Sequence, residues 1–198
     1  MAYYGLTETA FGSMLIVVDG ERMIALKFGV DEARTASAVE ELHRELRGAF
    51  PLERSEAKIK PAATKVRDYV SGKRSALDLE FDVSWINGFR REVLLECARI
   101  PRGEVATYAE LARRVGRPNA YRAVGNTMRT NPIPILIPCH RVVGSNGSLT
   151  GFGGGLDMKQ KLLQLEGARP SPLTAASLRR RPATPLPRGE RGTTATFD

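Results

Sequence analysis

At 198 residues, 42% hydrophobic and 26% charged, the chain has an ordinary globular composition. This excludes disordered and fibrous classes and, with roughly 150 residues to an average domain, leaves one large or two small domains. Its longest aliphatic run, Met14 to Val18, falls far short of the about 20 apolar residues that span a bilayer. Nothing near the N-terminus leads a basic cluster into an apolar stretch, so a cytoplasmic, monomeric protein with no membrane association is expected. Two cysteines, Cys97 and Cys139, with His43 and His140, exclude a disulfide framework and offer no metal-ligand spacing, so neither a metal nor a cofactor is expected.

The net charge of +8 is unevenly placed. Residues 1–84 hold 12 Lys and Arg against 14 Asp and Glu, residues 85–167 hold 12 against 6, and residues 168–198 hold 6 against 2. A basic second half points to an anionic partner, with nucleic acid leading. Composition alone is equally served by a charge that only confers solubility.

Ser13 to Phe28 reads as a hairpin turning at Asp19-Gly20-Glu21-Arg22. Val39, Leu42, Leu46 and Phe50 then recur at helical spacing until Pro51, with His43 an ordinary residue at the edge. A second helix is expected from Ala62 to Val70, ending at Ser71-Gly72. Leu77, Leu79, Phe81 and Val83 alternate as a half-buried strand. Residues 1–84 thus read as a small mixed α/β domain.

From Asn87 the period is helical. Phe89, Val93, Cys97 and Ile100 share a face, which places the Cys97 thiol in a core as a small hydrophobe, and Pro101-Arg102-Gly103 closes the segment. Thr107-Tyr108-Ala109-Glu110 has capping-box spacing and should start a helix carried by Leu111 and Val115 and ended by Gly116. After the Arg117-Pro118-Asn119 turn a second helix can run from Ala120 to about Thr130, completing a helix-turn-helix. Val124 and Met128 point inward, while Arg122, Asn126 and Arg129 share the opposite face, a candidate nucleic-acid surface. Ala120, Ala123 and Gly125 suit a helix pressed close to a duplex, including its minor groove. The same pattern also describes a structural helical hairpin. The expected fold class is therefore α+β, with a mainly helical domain over 85–167 and a disordered, basic, proline-rich tail over 168–198.

Asn131 to Val143 reads NPIPILIPCHRVV, a proline-punctuated extended stretch that delivers Cys139 and His140 into a buried or semi-buried pocket. A thiolate is a nucleophile and imidazole can take its proton. Neighbours on an extended strand point to opposite faces, so a bend or a bridging water is needed. By itself the dipeptide more often describes a structural cysteine.

Together, the RGEVATY segment from Arg102, AYRAVGNTMRTNP, IPCHRVV and GGLDMKQKLLQLEG closely resemble the O6-alkylguanine-DNA alkyltransferases, also called methylated-DNA-protein-cysteine methyltransferases. The resemblance is strong over residues 85–167 and loose before them. It implies that Cys139 accepts an alkyl group from O6 of a damaged guanine flipped out of double-stranded DNA, with little sequence specificity. It further implies that His140 acts through a water as the base and that Glu166 holds the imidazole in its working tautomer. By the same resemblance Tyr108 is expected to donate toward guanine N3, Arg122 to fill the vacated space in the duplex, and Asn131 to act as a hinge. Val142, through its carbonyl, and the loop with Phe152, Gly153 and Gly154 form the guanine pocket. Phe152 stands where the family often has Tyr and Gly153 where it often has Ser, and residues 89–94 lack the usual Gln and Trp. The structural zinc of some members is not expected.

Two other readings share part of the pattern. A binding module of the alkyltransferase-like kind lacks the cysteine that is present here. A helix-turn-helix regulator that senses alkylation or oxidation at Cys139 calls for a second recognition module.

Overall fold

The computed structural model describes residues 1–168. The expected disordered tail lies outside them except for Ala168, which is buried and donates its N–H to the Leu163 carbonyl at 2.8 Å. Among the described residues no helix is long and apolar enough to cross a membrane. Among the described residues the chain divides into two compact units: Met1–Trp85 with Pro132–Leu136, and Ile86–Asn131 with residues 137–168.

In the first unit β1 (Ala2–Thr9), β2 (Gly12–Asp19) and β3 (Arg22–Phe28) form an antiparallel meander, and β4 (Leu52–Arg54) adds in parallel to β1, giving the order β3-β2-β1-β4. Met14 through Val18 are all buried, because β2 is covered on both faces and a continuous apolar run replaces the usual alternation. On one face Leu15, Val17 and Ala25 pack with Ala38, Leu42 and Leu46 from α1 (Glu32–Glu45) and its C-cap. On the other, α2 (Glu56–Val70) approaches β1 so closely that a Cβ on Gly5 would lie 2.9 Å from Ile59 Cγ1.

Three expectations change here. The first helix stops at Glu45 rather than at Pro51, because Arg47 and Gly48 adopt φ of 51° and 72°, outside helical geometry. The second helix begins at Glu56, capped by Ser55, and continues through Pro61, which had hidden its first six residues from periodicity. Residues 77–83 form one bridge, Phe81 to Met23, rather than a strand. Further along that edge of β3, the Leu26 N–H donates to the Pro132 carbonyl at 2.8 Å, so this donor is taken by a segment other than 77–83.

In the second unit α3 (Gly88–Ala98) packs on α4 (Tyr108–Arg114) and α5 (Tyr121–Arg129), burying Val93, Leu94, Cys97, Leu111, Val124 and Met128. Each fully buried aliphatic side chain contributes roughly 2 kcal/mol. Thr107 caps α4, its Oγ1 accepting the Glu110 N–H at 3.0 Å. The reciprocal half of the expected capping box is missing, since the Glu110 carboxylate pairs with Arg114 instead. β5 (Ala106–Thr107) runs parallel to β6 (Val142–Val143), and α6 (Leu156–Leu165) packs against a 3-10 turn at Cys139–Arg141.

Candidate active site

The 3-10 turn supplies the bend that the extended reading of Cys139-His140 required. Adjacent residues on such a turn diverge by about 120° rather than 180°, so both side chains can border one space. Both are buried, Cys139 at 5% exposure and His140 at 0%. The turn is held at its N-terminal side by Asn131, whose Nδ2 donates to the Ile137 carbonyl at 2.8 Å. The same side chain hydrogen-bonds the Cys139 sulfur. Burial pushes the Cys139 thiol above its ordinary pKa. The Asn131 hydrogen bond, the nearby Lys159 charge and the backbone N–H groups of Cys139 and His140 pull the other way. A thiol at neutral pH is the result, so nucleophilicity has to be created by a base.

His140 Nε2 lies 2.7 Å from Glu166 Oε1, with both side chains buried. Burial holds the imidazole below its ordinary pKa despite the adjacent carboxylate, so it is neutral at pH 7. Burial also disfavours the Glu166 carboxylate, but hydrogen bonds from His140 and Arg141 outweigh this and hold it well below the usual carboxyl range. A carboxylate accepts only, which puts the imidazole proton on Nε2 and leaves the Nδ1 lone pair free. Nδ1 is buried and makes no hydrogen bond in the structure. Arg141 completes the cluster: its Nε donates to Glu166 Oε2 at 2.8 Å and its Nη2 to Oε1 at 3.0 Å, a bidentate pair, while Nη1 donates to the Ile100 carbonyl.

Tyr108 opens α4 and is partly buried. Thr150 Oγ1 donates to its hydroxyl at 3.0 Å, leaving the phenolic proton available to another acceptor. Burial raises the Tyr108 pKa, which keeps the phenol protonated. Its ring faces α5 at Gly125, where an added Cβ would sit 3.8 Å from Tyr108 Cδ1. The Phe152 ring stands edge-on to His140 at 6.3 Å between centroids. Gly153 has open space around its missing side chain, and a Cβ on Gly154 would strike the flexible end of Met158.

The second helix of the pair places Arg122, Ala123, Asn126 and Arg129 at the surface and Gly125 half-buried. Arg129 Nη2 donates to Asn126 Oδ1 at 2.9 Å, linking two members of that face. The Val142 carbonyl, expected to face a bound guanine, already accepts from Lys159 Nζ at 2.6 Å. Sequence reading passed over Lys159, a fully buried ammonium that also donates to the Thr150 carbonyl at 2.8 Å and whose pKa burial lowers to about 8. The signal for it was its position, since Lys159, Leu162, Leu163 and Glu166 fall at i, i+3, i+4 and i+7, all on the buried stripe of α6 and its C-cap. Arg141 was also missed.

Residues 2–83 match the family profile described as 6-O-methylguanine DNA methyltransferase, ribonuclease-like domain, and residues 88–168 match the same family's DNA binding domain. The chain belongs to the 6-O-methylguanine DNA methyltransferase family. Among its relatives, a methylated-DNA--protein-cysteine methyltransferase of Methanosarcina barkeri is 37% identical, over 83% of this chain and 96% of that one. An inducible methylated-DNA--protein-cysteine methyltransferase of Bacillus subtilis is 36% identical, over 80% and 90%. A crystal structure of Mycobacterium tuberculosis OGT in complex with DNA is 30% identical and superposes with a TM-score of 0.68, covering 89% of this chain and 98% of that one. For a 6-O-methylguanine DNA methyltransferase the mixed α/β unit followed by a helical one is the family's architecture, shared with these structures.

Proposed function

We propose that the protein repairs DNA by moving the alkyl group of O6-alkylguanine onto Cys139, once per molecule. The observation that carries the reading is a buried thiol one residue from a neutral, carboxylate-oriented imidazole whose second nitrogen is unengaged. It is supported by membership of a family whose relatives are named for this transfer and include a DNA complex.

His140 Nδ1 takes the thiol proton through a bridging water, and Glu166 stabilises the imidazolium that forms. The sulfur attacks the alkyl carbon in line. An S–C bond forms as the C–O6 bond breaks, and the electron pair moves into the guanine ring. Tyr108 gives its phenolic proton to guanine N3, and the proton held by His140 returns to the tyrosinate through solvent. Thiol and O6-alkylguanine thus become thioether and guanine with no proton left over. The thioether has no leaving group for hydrolysis, so the protein is consumed.

Reaching O6 requires extrusion of the base from the stack. Arg122 fills the gap, Asn131 ties the recognition helix to the cysteine turn, and Phe152, Gly153, Gly154 and Val142 border the base. Ala123, Gly125, Asn126 and Arg129 lie along the duplex. Most affinity comes from phosphate contacts, so binding is salt-dependent and nearly independent of sequence, and the monomer is the working form.

Incubation with a duplex carrying labelled O6-methylguanine tests this. One methyl per chain is expected on the peptide containing Cys139, and the Cys139→Ala protein should bind the same duplex without accepting label. Label on another residue, or none, overturns the assignment.

A further inference from the structure

Tyr121 opens α5 and lies three residues before Val124 and seven before Met128, the spacing of the buried stripe. It is nevertheless 47% exposed, one of three large hydrophobic side chains left open among the described residues. The neighbouring Arg122 guanidinium stands 5.9 Å from its ring centroid, a cation-π arrangement. One helical turn on, at i+4, is Gly125, against which the Tyr108 ring lies. The edge of α5 therefore carries an open aromatic ring, then a bare backbone position, then the phenol of the candidate site. The exposed arginine projects beside that ring.

We propose that Tyr121 is a stacking platform for the base flanking the position that the flipped nucleotide leaves, working beside Arg122 as a two-part wedge. This rests on the alkyl-transfer reading and adds a positioning residue to it. Extrusion leaves two neighbouring bases each with one uncovered face. A guanidinium covers a small area and remains strongly attracted to phosphates. An aromatic ring offers a larger face that any base can stack on, so it holds the gap open without adding sequence preference. The cation-π contact presents the two groups together, so less side-chain freedom remains to be lost on binding. Unit 2 is the basic half of the described chain, which gives the surrounding surface the charge that a duplex requires.

The test compares the wild type with Tyr121→Ala and Tyr121→Phe on two substrates, an O6-methylguanine duplex and the free base O6-benzylguanine, with 2-aminopurine placed beside the lesion. The ratio of duplex to free-base rate should fall about tenfold in Tyr121→Ala and stay near the wild-type ratio in Tyr121→Phe, as stacking losses at a single base imply. The 2-aminopurine fluorescence change on binding should be lost only in the alanine variant. The salt dependence of affinity should keep its slope, because no charge is removed. An unchanged ratio with unchanged fluorescence overturns the platform. A loss equal on both substrates places the effect in the pocket and also overturns it. Failure of the wild type to take alkyl from either substrate overturns the alkyl-transfer reading itself, which is a distinct result.

Discussion

Replacing Lys159 with Met tests whether the buried ammonium sits in the folded protein at a cost. Its pKa moves from 10.5 to about 8 on burial. The difference of 2.5, at 1.36 kcal/mol per unit, amounts to about 3 kcal/mol. The folded pKa is below the unfolded one, so the unfolded chain holds this proton more tightly. The penalty is complete below pH 8 and disappears as pH rises toward 10.5. Methionine has similar length and does not titrate, but it leaves the Val142 and Thr150 carbonyls without their donor, a loss of about 1–3 kcal/mol each. Near pH 7 these effects offset, and the two proteins should unfold at similar urea concentrations. Between pH 8 and 10.5 the wild type should gain up to about 3 kcal/mol relative to the variant. Cys97 and Cys139 are coupled electrostatically to Lys159, so the difference reports the Lys159 ammonium together with its effect on the two thiols. Transfer by the variant should be slower at pH 7, because the charge that draws the Cys139 pKa down is gone, and the deficit should shrink with rising pH. Urea melts at half-unit pH steps decide the matter. A stability difference that stays flat with pH refutes the reasoning.

Glu166→Gln breaks a buried cluster that also holds Arg141, so a loss of about 3–5 kcal/mol in urea unfolding is expected, with transfer slowed on the order of 10³-fold by the lost tautomer control. The wild type should also lose stability as pH falls below the ordinary carboxyl range, the sign for a carboxylate held down in the fold, while the Gln variant shows a shallower acid slope. Gly125→Ala has room for its methyl against Tyr108 and removes a helix-interior glycine. The melting temperature should therefore rise by about 2–4 °C while duplex affinity falls, and a variant that melts earlier contradicts the space argument. Arg122→Ala should slow transfer from a duplex more than from the free base, and equal losses would remove its wedge role.

Local chemistry was legible in the sequence wherever it acts locally. Thr107 announced a helix start and caps one, and the apolar faces of α3 and α5 follow their spacing. Pairings over distance were not legible. Phe81 reads as a strand residue, yet it makes a single bridge to Met23, and the Leu26 N–H further along β3 goes to Pro132, about a hundred positions on. Pro61 concealed the start of α2 because a proline inside a helix looks like a boundary. Glu166 came from the family resemblance, since nothing in a 26-residue separation says that its carboxylate meets His140. Lys159 was missed because a lysine on a helix is read as surface, although its position on the buried stripe of α6 was visible.

The burial of Cys139 bears on how such a site can work. A thiol raised above its ordinary pKa is protected from adventitious alkylation and oxidation, since the thiolate is the reactive form. A catalyst that turned over would be slowed by that restraint at every cycle. A protein that reacts once gains from it, because each molecule has to reach its lesion with the sulfur intact. In the proposed mechanism the neutral His140 fits the same requirement: it would accept a proton when the alkyl carbon is in place, and it holds no standing positive charge that would keep the thiolate populated beforehand. Lys159 does provide a standing charge, but both hydrogen bonds assigned to it go to carbonyls, so it tempers the thiol pKa without stabilising a resident thiolate. On the proposed mechanism, the substrate rather than the resting charge distribution triggers the nucleophile.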